Sequence, residues 1–213
     1  IIIHLFNPIK SLKLIIMKTI KTLFTILSVA LLTISCSSDD DKEEAVKYNE
    51  ENPLDAYMAG SGFSQKAVDV KNSGIYEYGF SFKPTVTGKI NALVVKIPDV
   101  NAALRITLWD AATKTVIKSE TINVPTANVT VEKAITPIAL TKDKEYFFTV
   151  NSDDWINRTK TDGSAATYPI TAGNIVITGY AYISSTASET IFPTNARNTY
   201  YAGDMTFKFQ QTQ

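Results

Sequence analysis

The sequence predicts an all-β protein, a single antiparallel β-sandwich of the jelly-roll or immunoglobulin-like kind. Three observations carry this prediction. The chain of 213 residues holds ten Tyr, ten Phe and 45% hydrophobic residues, a composition that favours strands. From about residue 76 onward, apolar and polar side chains alternate with the period of two that turns one face of a strand toward a core. Turn residues separate these runs at intervals of roughly a dozen residues, as in a sandwich.

Six alternating runs and one continuously apolar run mark the predicted strands. In chain order, the inward positions of the alternating runs are Tyr76, Tyr78, Phe80 and Phe82; Leu104, Ile106 and Leu108; Val129, Val131 and Ile135; Tyr146, Phe148 and Val150; Ile175 and Ile177; and Met205, Phe207 and Phe209. Residues 90–97 are apolar almost throughout, which favours a central strand. For residues 54–66 we expect a short strand that ends in a turn at residues 60–62.

Residues 17–35 have the order of a bacterial export signal. Lys18 and Lys21 form a basic start, and residues 22–34 then contain no charge before a small residue and Cys36. This apolar run is shorter than the roughly 20 residues that a membrane-spanning helix needs. The pattern therefore predicts a signal peptide.

The segment Leu31-Leu32-Thr33-Ile34-Ser35-Cys36 resembles the lipobox of bacterial lipoproteins, with Thr33 where the family usually has Leu. The resemblance implies that Cys36 is lipidated and becomes the mature N-terminus, since several acyl chains anchor a protein stably. Residues 37–44 resemble the acidic stretch behind the lipidated Cys of Bacteroidetes lipoproteins, which acts as a surface-export signal. We therefore expect a lipid-anchored outer-membrane protein on the cell surface; a periplasmic orientation is the alternative.

These features divide the chain into four parts: an upstream extension of the reading frame (residues 1–16), a lipoprotein signal peptide (17–35), a lipid-anchored disordered tether (36–52) and a β-sandwich domain (53–213). Basic and acidic side chains number 21 each, so the formal net charge of the whole chain is zero, but the parts of the chain differ in charge. The tether carries seven acids against two lysines, and the domain is nearly neutral. A neutral domain lacks the positive surplus that nucleic acid attracts, so we expect no nucleic-acid partner.

The lone His and the lone Cys exclude several chemistries. His4 precedes the predicted signal peptide, and the only Cys is Cys36. A mature chain without His has no Ser-His-Asp triad and no His-containing zinc site. Internal disulfides are excluded as well. We expect a protein that is not an enzyme and needs no cofactor, although a structural calcium ion remains open.

Several short motifs follow one another along the chain: Gly79-Phe80-Ser81-Phe82, Leu108-Trp109-Asp110, Thr136-Pro137-Ile138-Ala139-Leu140, Ile191-Phe192-Pro193-Thr194 and Tyr201-Ala202-Gly203-Asp204-Met205-Thr206-Phe207. Their order resembles a bacterial family of domains of unknown function that occurs in secreted multidomain proteins. Ala202 stands where that family has Trp. The resemblance covers about residues 76–209 and implies a β-sandwich with a binding or accessory role and no catalytic residue set.

The best local candidate for a binding site is the stretch 151–173, which is too long for a simple hairpin and is expected to be a functional loop. It combines an aromatic face that can stack on a sugar with groups that can bond hydroxyls. The predicted ligand-binding residues are Asn151, Asp153, Asp154, Trp155, Asn157, Arg158 and Tyr168. In the alternative, Trp155 covers one end of the core and the acids face water.

Calcium is a second prediction for the same stretch, because hard cations take carboxylate and amide oxygens. Its ligands would be Asp153, Asp154, Asn157 and Asp162.

Outside this stretch, we expect Trp109 to pack across neighbouring strands. We expect Asp110 to be a turn residue whose side chain hydrogen-bonds to the nearby backbone. A second surface could use Tyr200, Tyr201 and Asp204, for which packing or edge positions are the alternative.

We expect a non-enzymatic cell-envelope lipoprotein whose sandwich is a binding or accessory module for an extracellular glycan or a surface protein partner. The first alternative is a structural or assembly subunit of a surface complex. The second is a glycoside hydrolase that uses two carboxylates.

Overall fold

The computed structural model describes residues 46–213, which form an all-β sandwich with one short helix. The predicted fold class is thereby confirmed. The elements are β1 (Glu50–Glu51), α1 (Leu54–Ser61), β2 (Lys66–Val70), β3 (Tyr76–Pro84), β4 (Gly88–Lys96), β5 (Asn101–Asp110), β6 (Thr115–Val124), β7 (Val131–Leu140), β8 (Tyr146–Ser152), β9 (Trp155–Thr159), β10 (Ile170–Ala172), β11 (Ile175–Ser184), β12 (Asn195–Arg197), β13 (Tyr201–Ala202) and β14 (Asp204–Gln211). The predictions for the signal peptide and for Cys36 lie outside the described residues.

Within residues 46–213, the strands form three sheets in which every pairing is antiparallel. The smaller main sheet has the order β1-β14-β4-β7, and the larger has the order β10-β11-β3-β8-β5-β6 with β12 beside β11. A third sheet, β13-β9-β2, contains three short strands. Among residues 46–213, no helix is long and apolar enough to cross a membrane.

The core lies between the two main sheets and is dominated by aromatic rings. Phe80 and Phe82 of β3 face Phe207 of β14, with the Phe82 and Phe207 ring centroids 4.9 Å apart. All three are fully buried, as the alternation in the sequence predicts. Val129 differs: it lies between the turn at residues 127–128 and the start of β7, and it is exposed.

Helix α1 replaces the short strand that we expected over residues 54–66. Asn52 Oδ1 accepts a hydrogen bond from the Leu54 amide at 3.1 Å where the helix begins. Gly62 ends it in the left-handed conformation with φ of 76°, which glycine adopts without steric cost. Tyr57 and Met58 are buried against the sandwich. An eight-residue helix shows too few turns for its period to stand out in the sequence, and packing stabilises it instead.

Folded chain begins earlier than the predicted end of the tether. Glu50 and Glu51 pair with β14, although both were assigned to the disordered tether. The Glu51 carboxylate accepts hydrogen bonds from the backbone and side-chain amides of Asn174. The acidic composition of residues 50–51 is compatible with a disordered tether as well as with a strand. Only their tertiary partners identify them as part of the domain.

The stretch 151–173 is less of a loop than predicted. Asn151 and Ser152 end β8, while β9 and β10 occupy eight further positions. The irregular parts of this stretch are residues 153–154, residues 160–169 and the turn residue Gly173. Strand β9 escaped prediction because polar residues occupy both of its faces and only Ile156 is fully buried.

Candidate functional site: an aromatic groove at one end of the sandwich

An open groove of about 380 Å³ lies at the end of the larger sheet where β3 begins and β11 ends. We call it the aromatic groove, because six of its ten lining residues are aromatic. These six are Tyr76, Tyr78, Trp155, Tyr180, Tyr182 and Tyr200. The other four are Val70, Ser73, Asn157 and Ala202.

Strand register places the tyrosines on one face. Tyr76 and Tyr78 are two residues apart on β3, and Tyr182 of β11 lies directly opposite Tyr78. Side chains two apart on a strand share a face, so Tyr180 joins the same row. This face is the inner one, because Phe80 and Phe82 continue it into the core. The groove is therefore the outer end of the aromatic row of the core.

The third sheet supplies the opposite wall. Trp155 opens β9 and pairs in register with Val70 of β2, while Asn157 pairs with Ala202 of β13. Strand β9 thus presents Trp155 and Asn157 to the groove. Ile156 between them is buried on the other side.

Half-buried rings form a continuous row along the groove. The Trp155 ring centroid lies 5.7 Å from that of Tyr76 at an interplanar angle of 89°. Tyr76 and Tyr182 are 5.9 Å apart, and Tyr182 and Tyr200 are 6.4 Å apart. These are the edge-to-face and tilted contacts that aromatic pairs prefer, and they hold the rings in place.

Polar groups in the groove are neutral hydrogen-bonding groups. Burial raises the pKa of Tyr200 to about 12, and the neighbouring Tyr182 adds to this shift. Burial also raises the pKa of Tyr78 and Tyr180 well above the ordinary value. Their hydroxyls stay protonated at neutral pH. Asn157 adds a half-buried amide that has no hydrogen-bond partner within residues 46–213.

Two of the predicted ligand-binding residues, Trp155 and Asn157, line the groove, and the acids beside them do not. Asp154 is buried in a structural role: its Oδ1 accepts a hydrogen bond from the Asn72 amide at 2.9 Å. Its carbonyl oxygen accepts a further one from the Tyr78 hydroxyl. Burial raises the pKa of Asp154. The carbonyl of Asp153 accepts from the Ser73 amide, so both acids brace the turn before β9.

The remaining predicted ligand-binding residues lie elsewhere. Asn151 is buried on the outer face of the larger sheet, where its amide donates to the carbonyl of Thr186. Arg158 points away from the groove and forms a two-pronged ion pair with Asp204. The Tyr168 hydroxyl lies 2.5 Å from that of Tyr57, beside the core.

The four predicted calcium ligands do not converge. Asp153 and Asp154 precede β9, Asn157 lies in its middle and Asp162 follows it. The Asp162 carboxylate accepts a hydrogen bond from the Ser164 amide at 2.9 Å and so closes a turn. In the described part of the chain, no cluster of three or more Asp, Glu, His or Cys side chains could hold a metal ion.

Arg158 and Asp204 line a second cavity of about 410 Å³ between α1, β4 and β9. Lys96 Nζ also lies 3.9 Å from Asp204 Oδ2. The charges of this cavity compensate one another, since Asp55 lies in the same lining. Asp204 is thus a buried pairing residue rather than part of an open surface.

Trp109 and Asp110 behave as the sequence predicts. Trp109 is buried against Phe147 and Phe192, and its Nε1 donates to Thr149 Oγ1 at 2.9 Å. Asp110 Oδ1 accepts hydrogen bonds from the amides of Ala112 and Thr113 and so forms the turn after β5.

Sequence reasoning missed four of the six aromatic residues of the groove, Tyr76, Tyr78, Tyr180 and Tyr182, as site candidates. A signal was present: the inward row of β3 changes from Phe to Tyr toward its start, and β11 carries Tyr at two successive inward positions near its end. Tyr combines an apolar ring with a polar tip, so it favours the place where a core meets water. Tyr200, which the sequence offered for a second surface, lines this same groove, whereas Tyr201 is fully buried.

Neither the comparison with models of known protein families nor the comparison with curated proteins gives a match for this chain.

Proposed function

We propose that the protein is a non-enzymatic cell-envelope lipoprotein whose sandwich binds an extracellular glycan in the aromatic groove. One observation carries the proposal. Half-buried rings from four separate segments, at Tyr76, Trp155, Tyr182 and Tyr200, line one concave surface beside the Asn157 amide, which has no hydrogen-bond partner among residues 46–213. None of these residues is close in sequence to all the others, yet the fold brings them together.

The chemistry of the groove suits a sugar. A pyranose ring presents a face of C–H groups that packs on an aromatic ring, and hydroxyls at its rim that need hydrogen bonds. Ligand sites are mostly apolar concave surfaces of roughly 300–1,000 Å³ with a few placed polar groups. At about 380 Å³, with tyrosine hydroxyls and one amide among the rings, the groove has this composition.

The lining favours binding over hydrolysis. None of the ten residues of the aromatic groove carries a carboxylate. Glycoside hydrolysis uses two carboxyl groups on either side of the bond that breaks, roughly 5 to 10 Å apart. A glycosidic bond held in this groove would therefore lie beside rings and hydroxyls rather than beside an acid and a base.

An immobilised glycan array probed with the purified full-length chain tests this function. We expect retention of at least one glycan class, and about tenfold weaker binding by Trp155→Ala, because a stacking surface is removed. Trp155 is only half-buried, so this variant should stay folded by circular dichroism. Trp109→Phe is the matched control: it alters the other tryptophan, outside the groove, and should leave binding unchanged.

Two results would contradict the proposal. The first is wild-type protein that retains no glycan on the array. The second is a folded Trp155→Ala variant that binds as tightly as wild type, which would make Trp155 a covering residue of the core.

Membrane attachment belongs to the same proposal. It is supported by the basic, apolar and small-residue order of residues 17–35 and by the lipobox resemblance at Cys36. We propose attachment to the outer membrane, with the acidic residues 37–44 as the signal for display on the surface. The described domain would then face the glycans outside the cell.

A structural subunit of a surface complex is the second candidate, and the edge of the larger sheet favours it. Strand β6 pairs only with β5 in the described residues, and Val116 and Ile117 on it are 46% and 40% exposed. Unpaired edges can add a strand from a partner. A partner that co-purifies in fixed ratio with wild type and with Trp155→Ala, but not with Val116→Lys, would support this candidate.

A further inference from the structure

The protein has three arginines, and two of them are paired with buried acids. Arg105 Nη2 lies 3.0 Å from Glu77 Oε2, and Arg158 forms its two-pronged pair with Asp204. Arg197 differs, because no carboxylate lies within ion-pairing distance of it among residues 46–213. Its side chain is exposed.

Arg197 is not one of the ten lining residues of the aromatic groove, but it borders the groove through its contact with Tyr182. It is on β12, directly opposite Tyr180 of β11, so the two side chains share the face that forms the groove. Its guanidinium carbon is 5.5 Å from the ring centroid of Tyr182. Nη2 lies 3.4 Å from the Tyr182 hydroxyl, and Nη1 donates to the carbonyl of Ala196.

These contacts hold the guanidinium without neutralising it. Stacking on a ring and bonding to a carbonyl restrict the side chain, and the positive charge remains available to a ligand. Tyr200 senses this charge, which opposes the rise in its pKa. The aromatic row therefore runs from Trp155, through Tyr76 and Tyr182, to a fixed cation.

We infer that the aromatic groove selects an acidic glycan, whose carboxylate or sulfate pairs with Arg197 while its sugar rings pack on Tyr182, Tyr76 and Trp155. This inference rests on the proposed glycan-binding function and specifies its ligand class. A planar guanidinium can bond two oxygens of either anion at once, which makes such pairs strong and directional.

The test compares four tetrasaccharides by isothermal titration against the full-length chain. Tetragalacturonate carries carboxylates, its methyl ester is the same sugar without charge, a kappa-carrageenan tetrasaccharide carries sulfates, and cellotetraose is neutral. We expect the acid forms to bind about 10- to 100-fold more tightly than the ester and cellotetraose, since a charge-assisted pair is lost. Raising the ionic strength should narrow that gap.

Variants assign the effect to Arg197. Arg197→Gln should lower the affinity for the acid form to about that for the methyl ester, whose uncharged group forms no ion pair with Arg197. Lys142→Gln is the control, because it removes one positive charge from an exposed lysine in the turn before β8, whereas the groove lies near the other end of that strand. Whether the carboxylated or the sulfated sugar binds more tightly identifies the anion, and a preference for either one supports the inference.

Four results separate failure of this inference from failure of the proposed function. Equal affinity for tetragalacturonate and its ester, or an acid preference that survives Arg197→Gln, overturns the inference and leaves glycan binding intact. An acid preference that Arg197→Gln removes, together with an affinity for tetragalacturonate that Trp155→Ala leaves unchanged, places the sugar outside the groove and also overturns the inference. No binding to these sugars or to any glycan on the array overturns both the inference and the proposed function.

Discussion

Glu77 is a fully buried carboxylate on the outer face of the larger sheet. Its Oε2 accepts from Arg105 Nη2 at 3.0 Å, and its Oε1 accepts from the Thr149 hydroxyl at 2.5 Å. Arg105 also donates to the carbonyls of Ala187 and Glu189, which ties the segment 185–193 over this face. Burial raises the pKa of Glu77 above its ordinary 4.5, and the hydrogen bonds from Thr149 and Arg105 offset only part of that rise.

This shift has a defined sign in the pH dependence of stability. The folded state binds the Glu77 proton more tightly than the unfolded state does. The free energy of unfolding of wild type, minus that of Glu77→Gln, should therefore be largest below pH 4.5 and should fall as the pH rises through the raised pKa. Urea unfolding of both proteins at a series of pH values measures this difference.

Exposed Glu132 offers the control, since Glu132→Gln removes a charge from a side chain that is 53% exposed. If the free energy of unfolding of wild type minus that of Glu77→Gln instead rises with pH, the ion pair with Arg105 outweighs the burial of Glu77.

At the scale of elements, strand β3 is the centre of the larger sheet, between β8 and β11. Gly79 lies opposite Thr149 of β8 and Ala181 of β11. A Cβ at this position would overlap the backbone carbonyl oxygen of Phe148, which cannot move aside as the tip of a side chain would. The close approach of β3 and β8 thus requires glycine.

Gly79→Ala should therefore lower the free energy of unfolding by about 3 kcal/mol, as overpacking against a backbone does. Gly179→Ala on the neighbouring strand β11 is the control. Its nearest obstacle is the Ser81 hydroxyl at 3.3 Å, so its cost should stay below about 1 kcal/mol. Chemical denaturation measures both, and equal costs would mean that β3 and β8 can separate freely at this point.

Element prediction succeeded where a strand has one apolar face and failed where it does not. Alternation in β3, β5, β8 and β14 marks the side chains that are now found in the core. Strand β9 carries Trp155, Asn157 and Arg158 with little apolar contrast, and was predicted as loop. Its structure depends on pairing with β2 and β13, which no local pattern expresses.

For the whole molecule, the testable expectation is the anchor. Cys36→Ala should move the protein from the membrane fraction to the soluble fraction, because no acyl chain can then be attached. Ser37→Ala is the matched control and should stay with the membrane. Fractionation followed by immunoblotting measures the distribution, and membrane retention of Cys36→Ala would refute lipidation.

Replacing Asp39, Asp40 and Asp41 together should abolish the accessibility of the protein to added protease on intact cells, if these residues direct export to the surface.

The sequence by itself determined which side chains of the main strands face inward, because a period of two is a local property of the chain. It also determined that the only His precedes the predicted signal peptide, which removes His-based chemistry from the predicted mature protein. Only the tertiary structure decided where the groove lies. Trp155 joins Tyr76, Tyr182 and Tyr200 there, and its neighbours Asp154 and Arg158 turn to other partners. Strand pairing determines which side chains meet at the groove, since it joins residues more than a hundred positions apart in the chain. A local sequence pattern shows which face of a strand a side chain occupies, but not which residues of other strands lie beside it.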